Sequence, residues 1–170
     1  MARIAYANLD QPDVAPVAAR IKAERGKILN LYRMLLHSPP VADGWRMFLT
    51  SIRQQSSLPG RIRELVIMRV AVINGAEYEY SAHRPFAIKE GLTEAQLEAL
   101  RSGRLDAFDA RERAVLDYAD AMTRQVHVPD PVFAAVRGHF NDREMVELTA
   151  TVAAYNLVSR FLEALQVDRE

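Results

Sequence analysis

Two helix-length segments joined only by Asn74-Gly75-Ala76 constrain this chain more than any other feature. The first, from Arg61 to Asn74, is almost wholly apolar between Leu65 and Ile73, yet it carries Glu64 near its start and Arg69 in its middle. The second, from Glu77 to about Glu90, crowds Glu77, Tyr78, Glu79, Tyr80 and His83 among small residues, and Gly91 suits the left-handed position that ends a helix. So short a connector suits an antiparallel pair, the expected central hairpin. Positions at comparable distances from the turn then face each other, which brings Glu64 towards His83. A segment that combines an apolar body with titratable groups is where a site is expected.

The remaining segments read as helices as well. A first helix runs to about Arg25 behind Pro12 and Pro16, and Lys27 to His37 carries a broad apolar stripe that Pro39-Pro40 ends. Ser38 or Pro39 opens a third helix to about Gln54, with Val41, Trp45, Phe48, Leu49 and Ile52 as its buried edge. Thr93 and Gln96 have capping-box spacing before a helix from Glu94 to Ser102. Asp109 caps a helix to about Gln125, a short one follows Pro131, and the last begins at Asn141 or Asp142 and runs to about Leu165. No period-two run of convincing length occurs. The fold class is all-α, an orthogonal bundle around the central hairpin, and 170 residues suit one domain over residues 1–170.

Lys+Arg and Asp+Glu are equal at 22 each, so no net field would collect a polyanion, and no nucleic acid is expected as partner. The absence of cysteine excludes thiolate nucleophiles, dithiol redox chemistry and thiolate metal sites. No apolar run approaches the length that spans a bilayer, and the first residues lack a long apolar core, so no membrane association and a cytoplasmic location are expected.

On one helix face, Glu79 and His83 are four residues apart and Tyr80 and His83 three apart. A carboxylate beside an imidazole fixes its tautomer while the ring carries a proton near neutral pH, so the catalytic candidates are His83, Glu64 and Glu79. The competing reading of Glu79 and His83 is a surface pair, and that of Glu64 is an acid complementing the helix dipole. Glu64, Glu79 and His83 would also suit a metal, but no H-E-x-x-H pattern and no paired E-x-x-H helices occur, so neither a metal nor a cofactor is expected. Arg69 reads as the partner of a buried or interfacial acid, with a clamp on an anionic substrate as the alternative. His37 is retained as a pocket residue. Tyr155, Asn156, Ser159 and Arg160 interrupt the apolar last helix beside Phe161, Leu162 and Leu165, which implies burial; they read as closing a pocket or an interface, with the interface preferred.

The residues Arg63-Glu64-Leu65-Val66-Ile67, Asn74-Gly75-Ala76-Glu77-Tyr78-Glu79-Tyr80 and Ala82-His83 resemble the carboxymuconolactone decarboxylase family, which includes the AhpD-like alkylhydroperoxidases. The segment from Leu31 to Pro39, ending in His37-Ser38-Pro39, and the closing segment from Asp142 to Leu165 extend the resemblance over most of the chain. In the peroxidase branch a Glu, a C-x-x-C pair and a His form the motif. Laid on this chain, Glu64 and His83 match the Glu and the His, whereas Ala76 and Glu79 occupy the cysteine positions. Neither residue can attack a peroxide or resolve a sulfenic acid, so peroxidase activity is disfavoured. The resemblance implies an AhpD-like bundle and a homo-oligomer (dimer, trimer or hexamer). It also implies a cofactor-free lyase or isomerase acting on a small organic acid or lactone, with Tyr78 or Tyr80 donating to the substrate. A non-catalytic oligomer, in which Glu64, Glu79 and His83 form a satisfied buried network, is the reading from a different class.

Overall fold

The computed structural model describes all residues, Met1–Glu170, and contains nine α-helices and no strand. These are α1 (Ala15–Arg25), α2 (Asn30–Leu35), α3 (Pro39–Thr50), α4 (Gly60–Asn74), α5 (Glu77–Lys89), α6 (Glu94–Ser102), α7 (Ala110–Gln125), α8 (Asp130–Arg137) and α9 (Asp142–Leu165). A π-helical turn, Ser51–Gln55, extends α3, and a 3₁₀ turn, Leu105–Ala107, precedes α7. No helix is long and apolar enough to cross a membrane. The chain forms two compact units, one of Met1–Gln55 with Leu162–Glu170 and one of Ser56–Phe161.

In the first unit the structure departs from the expected helices at two places. The stripe from Lys27 to His37 is helical only over Asn30–Leu35. Gly26 takes a positive φ of 78°, Leu29 is extended, and the Asn30 amide donates to the Glu170 carboxylate, so a contact distant in sequence sets where α2 starts. In α3 the buried edge is Ala42, Trp45 and Leu49, continued by Ile52, while Val41 and Phe48 are exposed. The expected stripe was wide enough to accommodate either choice, and the helix turns so that small Ala42 takes the inner position.

The second unit is built on α4. Every residue from Glu64 to Ala71 is buried, as a helix apolar on all sides requires. Burying a Leu, Ile, Val or Met side chain stabilises by about 1.5–3 kcal/mol, so this run anchors the unit. α5, α6 and α7 pack around it, with Leu65, Met68, Ala71, Tyr80, Leu97, Leu100 and Leu116 in one cluster. Gly75 closes α4 in the left-handed conformation at φ 66°, where a side chain would be strained, and this reverses the chain into α5. Both ends of α6 and the start of α7 follow the sequence signals. Thr93 with Gln96 and Asp109 with Glu112 form capping boxes, and Gly103 is left-handed. Asn141 and Glu144 make the same reciprocal bonds at the start of α9.

The start of α4 is held by one carboxylate. Glu147 Oε2, on α9, accepts from the Ser56 hydroxyl, from the Ser57 amide and hydroxyl, and from the Leu58 amide, while Oε1 accepts from Arg143. Burial alone would raise this carboxyl, but the hydrogen bonds from Ser57, Arg143 and Ser56 outweigh it and hold the pKa at about 2, against 4.5 unperturbed. The folded value is depressed, so the stabilisation is present above the unfolded value and is lost as pH falls towards 2. At pH 7, with solvent screening of a carboxylate at the protein surface, it amounts to about 1–2 kcal/mol. Glu147→Gln is therefore expected to lower stability by about 1–2 kcal/mol at pH 7, with a smaller difference at pH 3. Urea titrations of both proteins at the two pH values measure this, and equal differences at both would show that the carboxylate charge is not what holds the Ser56–Leu58 segment.

Candidate functional site

The antiparallel α4–α5 hairpin brings Glu64 and His83 together inside the second unit. His83 Nδ1 lies 2.8 Å from Glu64 Oε2, and Glu64 is 2% exposed. Glu64 Oε1 accepts from Arg63 Nε at 3.4 Å. The other ring nitrogen of His83, Nε2, lies 3.2 Å from the hydroxyl of Tyr155 on α9, and the two rings meet edge-on with centroids 5.0 Å apart. A carboxylate only accepts, so Nδ1–H donates to Glu64. In the neutral ring the Nε2 lone pair then accepts from Tyr155 O–H. The order is Tyr155, His83, Glu64.

Glu79, one turn before His83 on α5, is 1% exposed and accepts from the hydroxyl of Ser159 on α9. Residues 79 and 83 on α5 thus meet residues 159 and 155 on α9, one turn apart on each helix and in opposite order. The two helices are antiparallel here with matched rungs. Next to this pair, Asn156 bonds Asn74 at the end of α4 and Thr123 on α7. Tyr155, Asn156 and Ser159 therefore turn inward, each onto a polar partner, as the expected burial requires and in place of the preferred interface. Periodicity marked these residues as buried polar groups, but it carried no information about which helix they face.

The other expected residues separate. Tyr80 lines an open cleft of about 450 Å³ with Ser81, Arg84, Leu97 and Arg101, and its hydroxyl reaches the Leu97 carbonyl at 3.5 Å. The Arg101 guanidinium lies 3.7 Å from the centre of the Tyr80 ring and pairs with Glu77, which holds it more firmly protonated than usual. His83, Glu64 and Glu79 are not among the residues lining this cleft. Tyr78 is buried in α5 and is also not on the cleft. His37 belongs to the first unit, where Nε2 lies 2.7 Å from the Ala5 carbonyl. Arg69 bonds both oxygens of Asp120 and the Leu100 carbonyl. No group of three or more His, Asp or Glu side chains is arranged to hold a metal.

His83 comes near the surface beside Phe86. Its side chain is 10% exposed, and Phe86, with its ring centroid 5.8 Å away, is itself 45% exposed. The arrangement can store a proton on the imidazole and balance it with the Glu64 charge. Tyr155 is the member that the sequence reading assigned to an interface in preference to this pocket.

Comparison with known proteins bears on the same residues. The profile of the Carboxymuconolactone decarboxylase family matches residues 39–121. The uncharacterized protein YdfG of Bacillus subtilis (strain 168) is 28% identical over 122 residues, 70% of this chain and 83% of its own length. A solved Agrobacterium tumefaciens protein of unknown function, a candidate antioxidant defence protein AhpD, is 26% identical, with a TM-score of 0.74 over 79% of this chain and 93% of its own. An uncharacterized peroxidase-related protein of Ralstonia eutropha JMP134, described as an alkylhydroperoxidase AhpD core, shares the fold at 19% identity. Its TM-score is 0.83 over 99% of this chain and 92% of that one.

Proposed function

Residues 39–121 match the carboxymuconolactone decarboxylase family, in a chain without cysteine, and from that premise we propose that it is an acid/base enzyme acting on a small organic acid or lactone. The observation that carries this reading is the buried Tyr155–His83–Glu64 chain, which joins a proton-carrying ring to a carboxylate that balances its charge. In a decarboxylation the electron pair of the departing carboxylate is left on carbon, and protonated His83 supplies the proton to that carbon. In an isomerisation the same ring removes a proton and returns it at a neighbouring atom. Glu64 stabilises the imidazolium, and Glu79 is the second acid on the same helix face.

One observation favours a different reading. Both ring nitrogens already have partners, as in a structural network that ties α4, α5 and α9 together. Screening small lactones and carboxylic acids for turnover and for thermal stabilisation separates the two, with His83→Ala as the comparison. The enzyme reading expects turnover that falls by about 10²–10⁴-fold in His83→Ala. Turnover indifferent to the substitution removes the role of His83. A variant that only melts earlier, with no compound in the screen turned over by the native chain, supports the structural network.

A further inference from the structure

We infer that Tyr155 is a positioning residue of this site whose hydroxyl oxygen closes the Nε2 edge of His83 to direct attack by another molecule. The inference rests on the proton-transfer reading of His83 for its functional meaning and on geometry alone for its existence. Glu64 fixes the ring proton at Nδ1, which leaves Nε2 as the only basic nitrogen of the neutral ring. That lone pair points at the Tyr155 oxygen, 3.2 Å away. Tyr155 is 1% exposed and its ring is packed edge-on against the imidazole, so the oxygen stays in place and only the hydroxyl hydrogen can rotate.

The hydroxyl direction is thereby tied to the ring's protonation. With neutral His83, Tyr155 O–H donates to Nε2. With a proton on Nε2, the bond reverses, Nε2–H donates to the phenol oxygen, and the hydroxyl hydrogen must point elsewhere. In both states the Tyr155 oxygen stands in front of Nε2, so this edge of the ring stays closed whatever its protonation. Ser159 is one turn further along α9 and bonds Glu79 rather than His83, so it tests the packing between α5 and α9 separately from the latch.

The test uses diethyl pyrocarbonate, which needs no substrate. The imidazole lone pair forms a bond to a carbonyl carbon of the reagent, ethyl carbonate leaves, and the modified histidine is quantified by peptide mass spectrometry. In the native chain, His83 is expected to react more slowly than exposed His127 and His139. In Tyr155→Phe its rate should rise about tenfold, the effect of losing one hydrogen bond on the lone pair, with the two surface histidines unchanged. In Ser159→Ala it should stay at the native rate. The inference is overturned if His83 reacts as fast as the surface histidines in the native chain, if Tyr155→Phe leaves it slow, or if Ser159→Ala accelerates it equally, since loosened packing then explains the change. A substrate screen without turnover does not alter the labelling rates, and a failed labelling test does not alter what His83→Ala does to turnover, so the two failures are distinguishable.

Discussion

Arg69→Met is expected to lower the unfolding free energy by about 3 kcal/mol, the lower end of what removing one partner of a buried ion pair costs. The reason is what the substitution leaves behind. Arg69 sits in the most buried stretch of α4, and its guanidinium gives two parallel 2.6 Å bonds to Asp120 on α7 and a third, at 3.0 Å, to the Leu100 carbonyl at the end of α6. Methionine fills much of the space but satisfies none of the three acceptors. Asp120 keeps a weaker partner, Arg124 at 3.7 Å, and its side chain is 24% exposed, which places the loss at the low end of the range. Urea denaturation followed by circular dichroism measures it. A loss below about 1 kcal/mol would mean that the pair is a replaceable contact. In a double-mutant cycle with Asp120→Asn, most of the cost should be shared between the two sites.

Arg69 also marks how far sequence reasoning reaches. A lone base in an apolar helix must have a partner, so the ion pair was legible, but Asp120 lies 51 positions away and nothing local names it. The hairpin was legible for the same kind of reason, because the break at Gly75-Ala76 separates two helices whose antiparallel pairing puts Glu64 beside His83. The capping box at Thr93 and the cap at Asp109 were legible because their chemistry is contained within four residues. What failed were choices made by contacts distant in sequence. α2 is short because Glu170 holds Asn30, α3 turns Val41 and Phe48 outward in favour of Ala42, and Tyr155 and Ser159 face α5 because α9 lies antiparallel to it. The stripe on a broadly apolar helix says that burial occurs, and only the packed neighbours decide which polar residue meets which.

Glu64→Gln is expected to leave the fold within about 1 kcal/mol of native stability and to reduce turnover by about 10²–10⁴-fold, because it reverses the tautomer of His83. In the native chain both carboxylate oxygens accept, Oε1 from Arg63 Nε at 3.4 Å and Oε2 from His83 Nδ1 at 2.8 Å. Glutamine has one oxygen and one NH₂. Arg63 can only donate, so it draws the amide oxygen. Turning the amide the other way would set two donors against each other, at about 1–3 kcal/mol. The NH₂ then faces Nδ1, which must become the bare acceptor, and the ring proton moves to Nε2 and donates to the Tyr155 oxygen. The basic nitrogen now points at the introduced amide, away from Tyr155, and no negative charge supports the imidazolium. The imidazole ¹⁵N spectrum reads this directly and without substrate: the protonated nitrogen of His83 should be Nδ1 in the native chain and Nε2 in the variant. If the variant keeps its proton on Nδ1 and loses less than about threefold in turnover, Glu64 is a packing partner and the ring's orientation is set elsewhere.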